Sequence, residues 1–313
     1  MSRGLALAGV LTAAAAVPLL GRDYYATLML PFFGYSIALL GLNLLFGTTG
    51  LLSFGHALFV AVGGYTAAYL GAVLKIRSLE IMLLAAVASA ACVALPVGWL
   101  CVRYVKIYFG MLTLAFGMLF YSFLYKFYGL TGGDEGIPVG RPSLLGRGFG
   151  ELDKTAYLVG PYYYYSLALA VVAALVMWRI VRSPLGLSLR AIRENAAKAE
   201  YVGVRVRRYR FYAFVVSALF GAAGGVLLVV PTGLASPTLA YWTHSGNLVF
   251  MLLLGGFGHF FGPALGAFVF IFLQDQVMSV TEYWRFVFGA VLAAVVIFLP
   301  QGLMGLLARR ADA

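Results

Sequence analysis

Charge is scarce in this chain. Only 11% of its 313 residues are Asp, Glu, Lys or Arg, against 63% hydrophobic. A soluble domain carries about 25% charged residues, so a water-exposed globular surface is excluded. Acids are the rarer sign, 11 against 22 basic residues, for a formal net charge of +11. In a soluble chain that excess would suggest a nucleic-acid partner. Among long uncharged runs it orients the chain instead, because Lys and Arg concentrate in cytoplasmic loops. Cysteine is nearly missing: Cys92 and Cys101 share one apolar run, and neither a disulfide framework nor CxxC metal spacing exists. His56, His244 and His259 are scattered, with no Cys or carboxylate at ligand spacing, so no metal centre is expected. No phosphate-binding GxxxxGK[ST] stretch occurs, so the chain has no nucleotide site or cofactor of its own. No Ser/His/Asp arrangement points to catalysis, and the chain reads as a non-enzyme. Charge is missing from the apolar runs too. Lys126 and Arg179 lie near run ends, where they can snorkel, and Asp275 is the one acid inside an apolar segment. Proton or sodium coupling is therefore disfavoured, and energy must enter from elsewhere.

What is present is a succession of apolar runs, which makes the fold class all-α and polytopic in a membrane. The expected spans are Gly4–Leu20, Tyr24–Phe46, Leu51–Leu74, Leu79–Cys101, Ile107–Tyr128, Gly160–Ile180, Phe211–Val230, Ser245–Gly256, Gly262–Met278 and Arg285–Leu299. The first follows a basic start and doubles as a targeting signal. Ser245–Gly256 is too short to cross ~30 Å of hydrocarbon and is expected to be a half-helix or re-entrant segment. These runs make about ten crossings within a single domain, 1–313. With both termini inside, Arg103, Lys106, the 182–210 loop and Arg309-Arg310 fall in the cytoplasm, and the 129–159 loop falls outside; Lys75 and Arg77 are exceptions. Four spans from Tyr24 then begin outside and four from Phe211 begin inside, an inverted-repeat arrangement.

Small residues recur every four positions at Gly63, Ala67, Gly71; Ser217, Gly221, Gly225; and Gly258, Gly262, Gly266. Such stripes let helix backbones approach closely. Asn43, Ser53 and His56 flank the Gly47-Thr48-Thr49-Gly50 interruption. At membrane depth such groups either pair between helices or line a polar path.

The most polar insert runs from Arg182 to Arg210, where Arg182, Arg190, Arg193, Lys198, Arg205, Arg207, Arg208 and Arg210 meet only Glu194 and Glu200. Leu185, Leu189, Ile192, Ala196 and Ala199 recur at helical spacing and form one apolar face. Arg190, Glu194 and Lys198 form an i, i+4 series on another. Ser183 is the expected N-cap, Pro184 the first helical residue and Gly203 the stop.

Five ordered blocks then carry a family resemblance: GLNLLFGTTGLLSFGHALFVAVGGYTAAYL (Gly41–Leu70), MLTLAFG (Met111–Gly117), LTGGDEGI (Leu130–Ile137), SPLGLSLRAIRENAAKAEYVGVRVRRYR (Ser183–Arg210) and LLGGFGHFFGPALGAF (Leu253–Phe268). Over nearly the whole chain the sequence resembles the branched-chain amino acid ABC transporter permeases of the LivM type. The resemblance implies an import permease of the bacterial inner membrane that pairs with a second, LivH-type permease. Two cytoplasmic ATPases, which bind the ATP and Mg, and a periplasmic solute-binding protein complete the assembly. It implies that the 182–210 loop docks on an ATPase, with Arg190, Ala191, Arg193, Glu194, Ala197, Glu200 and Gly203 as interface residues and the apolar stripe as the docking face. Thr131, Gly132, Gly133, Asp134 and Glu135 become the surface that meets the binding protein. Asn43, Ser53, His56, Thr113 and Asn247 are the expected translocation-pathway residues. His259, Phe260, Asn247 and the Asp134-Glu135 pair depart from the family pattern, so the solute could be a branched-chain amino acid or a relative such as urea or a short amide. A stand-alone channel or facilitator, with the basic loop as a topology anchor only, is the competing class. Membrane lipid is a further partner, although Ala196, Ala197 and Ala199 make a weak insertion face.

Overall fold

The computed structural model describes residues 12, 14–20, 23–298 and 301–305. Most of the expected first span Gly4–Leu20, and Arg309-Arg310, lie outside the described residues. The main helices are α1 (Asp23–Asn43), α2 (Ala57–Ala72), α3 (Leu79–Cys101), α4 (Ile107–Lys126), α5 (Tyr163–Arg182), α6 (Pro184–Tyr201), α7 (Val206–Thr232), α8 (Trp242–Gly255), α9 (Gly262–Val280) and α10 (Trp284–Phe298). The one β-ribbon among the described residues pairs Ile137↔Ala235 and Pro138↔Leu234 antiparallel. The fold is therefore all-α. Among the described residues, six helical stretches are long and apolar enough to cross a membrane: Asp23–Thr49, Leu79–Cys101, Ile107–Lys126, Lys154–Arg182, Val206–Thr232 and Gly262–Val280. α2 and Trp284–Val295 are shorter apolar helices, and the 14 residues of α8 reach only ~21 Å at ~1.5 Å each.

Burial ranks the spans. Within their most apolar windows α1 is 78% buried and α7 72%, whereas α3, α4 and α9 reach 28% and α5 only 11%. The pair α1 and α7 is thus the centre, and the other spans turn an apolar face outward, as a lipid-solvated bundle requires. Small residues set the central contact. Gly34 lies against Gly224 and Leu228, and Gly41 against Ser217 and Phe220, so the two helices run antiparallel. A Cβ on Gly63 would stand 2.0 Å from the Ala222 carbonyl oxygen, and one on Gly225 2.0 Å from that of Val60. Two of the expected small-residue stripes therefore mark real helix contacts. The third does so only in part: Gly262 and Gly266 meet Gly256 and Met251, but Gly258 precedes α9 and has open space around it.

The bundle has two distinct ends. At one, Trp99 of α3 receives Arg103 at 3.7 Å and Arg207 at 5.9 Å, and α6 packs against α5 and α7. At the other, the ribbon joins the C-terminal ends of α4 and α7, and the segment after it folds over the start of α3. There Leu79 N–H donates to Ser143 O at 3.0 Å, and Leu145 N–H to Glu80 Oε1 at 2.7 Å. These are the basic end and the loop end below.

Candidate functional site

The expected span Leu51–Leu74 does not begin as a helix. After α1 the backbone widens into π turns over Leu44–Thr49, and Gly50, at φ +79°, ends them. Leu51–Gly55 is non-helical, and α2 starts only at Ala57. Gly47 explains the break. A Cβ there would stand 2.1 Å from Asn43 Oδ1 and 2.4 Å from the Phe257 carbonyl, so only glycine allows the approach. π turns inside helices mark functional sites more often than chance. Facing this break is another: α8 stops at Gly256, φ +100°, and Phe257–Phe261 turn into α9. The two breaks touch through Asn43 Nδ2, which donates to the His259 carbonyl at 3.5 Å, and through the Phe46 and Phe257 rings, 4.7 Å apart. Between them and α6 lies a cavity of about 240 Å³ whose polar lining is Asn43, Thr48, Arg190, Arg193 and His259.

Helix α6 connects this cavity to the basic end. Arg193 donates through Nη1 to the Gly47 carbonyl and stands 5.4 Å over the Phe257 ring. Arg190 Nη2 donates to Val181 O at 2.8 Å. The apolar stripe forms as expected, with Leu189, Ile192 and Ala199 buried and Leu185 and Ala196 half-buried. It joins a buried apolar cluster of this same chain, and α6 lies against α5, α7 and the Leu44–Thr49 turns. The stripe is therefore occupied from within, which corrects its assignment as a docking face for a partner. Two local details also differ. The Ser183 hydroxyl donates back to Ile180 O at 2.7 Å and does not cap α6. The helix kinks at Asn195 (φ −157°, ψ 101°), whose Oδ1 accepts the Lys198 N–H at 3.0 Å and caps the second segment. That kink interrupts the Arg190–Glu194–Lys198 series. Gly203, at φ +89°, ends the helix as expected: Val204 N–H reaches Ala199 O and Gly203 N–H reaches Glu200 O, both at 3.0 Å. Ala191, Glu194, Ala197 and Glu200 are exposed.

Of the expected pathway residues only Asn43 lines the cavity. Ser53 and His56 are buried beside it in the chain, with Gly221 of α7 approaching the His56 ring. Thr113 donates its hydroxyl to Gly110 O of its own helix at 2.9 Å. Asn247 is half-buried on α8. Three groups here escape sequence reading: Thr48 in the cavity wall, the Gly47 carbonyl, and Ser245, whose Oγ accepts the Ala57 N–H at 3.0 Å and caps α2. The Gly47 carbonyl and Ser245 meet partners far away in sequence, and none of the three carries a periodic signal.

At the loop end the Thr131–Glu135 segment divides. Thr131 and Gly133 are buried, the Thr131 hydroxyl donating to Leu124 O and Phe127 O. Asp134 and Glu135 are exposed, and Glu135 accepts the Tyr128 hydroxyl at 3.2 Å, which raises the phenol pKa above its ordinary value.

A helical bundle with six stretches able to span a membrane, broken at two facing points beside a polar cavity, is the architecture of a polytopic membrane protein. The chain belongs to the family described as "Branched-chain amino acid transport system / permease component", whose pattern matches residues 24–296. It is 29% identical over 291 residues to the high-affinity branched-chain amino acid transport system permease protein LivM of Escherichia coli strain K12, covering 86% of this chain and 67% of that protein. Similarity to LivH of the same organism is 24% over 294 residues, 87% of this chain and 91% of LivH. A guanosine ABC transporter permease of Bacillus subtilis strain 168, NupQ, is 31% identical over only 39% of this chain and 38% of its own. No solved structure matches. The protein is thus a multi-pass protein of the bacterial inner membrane.

Proposed function

We propose that this chain is the permease subunit of an ATP-binding-cassette importer for branched-chain amino acids. It would pair with a LivH-type permease, two cytoplasmic ATPases that hold ATP and Mg, and a periplasmic solute-binding protein. The observation that carries the reading is Arg193, which ties the exposed basic helix α6 to the Gly47 carbonyl at the break in α1. A push on α6 is transmitted to the centre of the bundle through that bond. The basic end, with Arg103 and Arg182–Arg210, faces the cytoplasm, and the loop end, residues 129–159, faces the periplasm. Antiparallel α1 and α7 at the centre support the inverted-repeat topology, with about ten crossings and both termini inside. Because the apolar stripe is buried, the ATPase would grip the outer face of α6 through Ala191, Glu194, Ala197 and Glu200. Arg193 then acts inward as the link. Asp134 and Glu135 are the exposed pair that would meet the binding protein. Similarity to an amino acid permease over 86% of this chain, against 39% for the guanosine permease, favours an amino acid as solute.

The test is reconstitution. With its permease partner, ATPases and binding protein in liposomes, the chain should take up leucine only when ATP is supplied, and Glu194→Lys should abolish both ATPase co-purification and uptake. Leucine flux through this chain alone, without ATP, would instead make it a facilitator.

A further inference from the structure

We propose that the junction of α3 and α7 at the basic end is a binding site for one anionic glycerophospholipid. Arg103 and Arg207 hold its phosphate, and an acyl chain lies along the exposed face of α3. The site is independent of the import reading and of which solute is carried.

The cations are ordered without being consumed. Gly98 brings the two helices together, since a Cβ there would stand 2.6 Å from the Phe214 ring and 3.4 Å from that of Phe211. Trp99 follows it, and Arg103, four residues on, stands with Cζ 3.7 Å from the Trp99 ring centroid. Arg207, one turn before Phe211 on α7, reaches the same ring at 5.9 Å. An aromatic face attracts a guanidinium through its quadrupole, and the five N–H donors lie in the guanidinium's own plane, so the ring places the cation and leaves its donors free. Both arginines are exposed, and no hydrogen bond or ion pair engages either among the described residues. Two such forks match phosphate oxygens two bonds at a time.

The charge is also uncompensated. Residues 99–110 and 201–214 contain no Asp or Glu, while Lys106, Arg205 and Arg208 add exposed cations. Arg210 shares the helix face of Arg207 at i+3. It is half-buried, and its Nε–H has no acceptor. Glu200 acts on Arg210, and a single acid leaves the patch strongly positive.

The face below Trp99 selects a lipid over a soluble anion. Leu84, Ala88, Leu95, Trp99 and Arg103 fall at spacings of four and seven, on one side of α3, and all five are exposed. From Leu84 to Trp99 that apolar side runs for ~22 Å, more than one leaflet's half of a ~30 Å hydrocarbon core. Trp rings favour headgroup depth. Trp178 of α5 repeats the pairing at this end, with Arg182 at 4.1 Å, which puts Trp99 at that depth. Basic pockets between spans bind anionic headgroups. Free phosphate would use the forks but not the stripe, and a soluble protein could not follow the stripe into the hydrocarbon.

The experiment offers the purified full chain, in dodecyl maltoside, equal amounts of phosphatidylglycerol and phosphatidylcholine and counts retained lipids by native mass spectrometry. Wild type should keep one phosphatidylglycerol in preference. Arg103→Gln with Arg207→Gln should lower that preference on the order of tenfold or more, each cation near the surface being worth roughly fivefold. The charge-matched Arg205→Gln with Arg208→Gln should lower it a few-fold at most. Brominated phosphatidylglycerol should quench Trp99, read as wild type minus Trp99→Phe, where brominated phosphatidylcholine does not. That arm decides the matter should the double variant fail to fold. Four results would each overturn the proposal: no anionic preference in wild type, equal loss in the charge-matched variant, displacement of the lipid by glycerol phosphate, or loss of ATPase co-purification in Arg103→Gln with Arg207→Gln while the lipid preference stays intact. The last would give the patch to the ATPase.

Discussion

The two ends of the bundle carry polar inserts that are held in opposite ways. At the loop end, residues 127–153 are laced to several elements at once. Ser143 pairs with Arg77 and Leu79, Glu80 takes the Leu145 N–H, Tyr157 donates to Pro142 O at 2.8 Å, and the ribbon binds Ile137-Pro138 to the end of α7. Even a strained turn, Leu145 at φ +50°, is held by that carboxylate. At the basic end, α6 rests on a narrow apolar stripe and reaches the core by long-range hydrogen bonding through Arg193. Contacts of the first kind fix a surface. Those of the second allow a helix to shift as a body while one bond carries the displacement inward, which is what a coupling element requires.

The largest expected effect comes from the stripe itself. Leu189 is fully buried, and Leu189→Ala should loosen α6 by about 2–5 kcal/mol. Trypsin cleavage at Arg205–Arg210 should then accelerate while cleavage at Arg141 and Arg147 stays unchanged. Equal acceleration at both ends would show that the two inserts are not held independently. Next in size, Gly136 has φ +72°, and a Cβ would stand 2.3 Å from the Ala235 carbonyl. Gly136→Ala should cost about 1–3 kcal/mol, with the opposite protease pattern: faster at Arg141, unchanged at Arg205–Arg210.

Much of this was legible in sequence. Six of the ten expected spans follow from apolar run length, and the α6 stripe from helical spacing, because both signals are local and repeat. The partner of that stripe was not legible, since periodicity says which face is apolar but not what covers it. The kink was hidden for a similar reason: Asn195 can cap or continue a helix, and only the surrounding packing decides. The Gly47–Gly50 interruption marked a break, but its meeting with Phe257–His259 and Arg193 joins residues more than a hundred positions apart. Of the expected site residues, Asn43, Arg190 and Arg193 converge on one cavity although the sequence points them to two different roles. Thr113, already satisfied within α4, shows that a polar residue in a span can be a local helix matter.

Arg193 tests how the inner insert transmits force. Its bond to Gly47 should contribute about 1–2 kcal/mol, too little to release α6. Arg193→Gln should therefore leave the protease pattern and ATPase co-purification intact, yet raise the ATP hydrolysed per leucine imported. Loss of co-purification would return Arg193 to the docking surface and remove the inward link.

The smallest effect is expected from Thr131, at the end held by many contacts. Its hydroxyl serves the Leu124 and Phe127 carbonyls at the end of α4 and accepts the Gly133 N–H at 3.4 Å. Thr131→Val keeps the shape and removes those bonds, for about 1 kcal/mol. The ribbon and the Glu80 contact persist, so cleavage at Arg141 and binding-protein-dependent uptake should stay near wild type. Neutralising the exposed acids with Asp134→Asn and Glu135→Gln leaves the fold alone and should weaken that uptake more. If Thr131→Val lowers uptake as far as the double neutralisation does, the hydroxyl is itself a contact, and the loop end is less fixed than its hydrogen bonds imply.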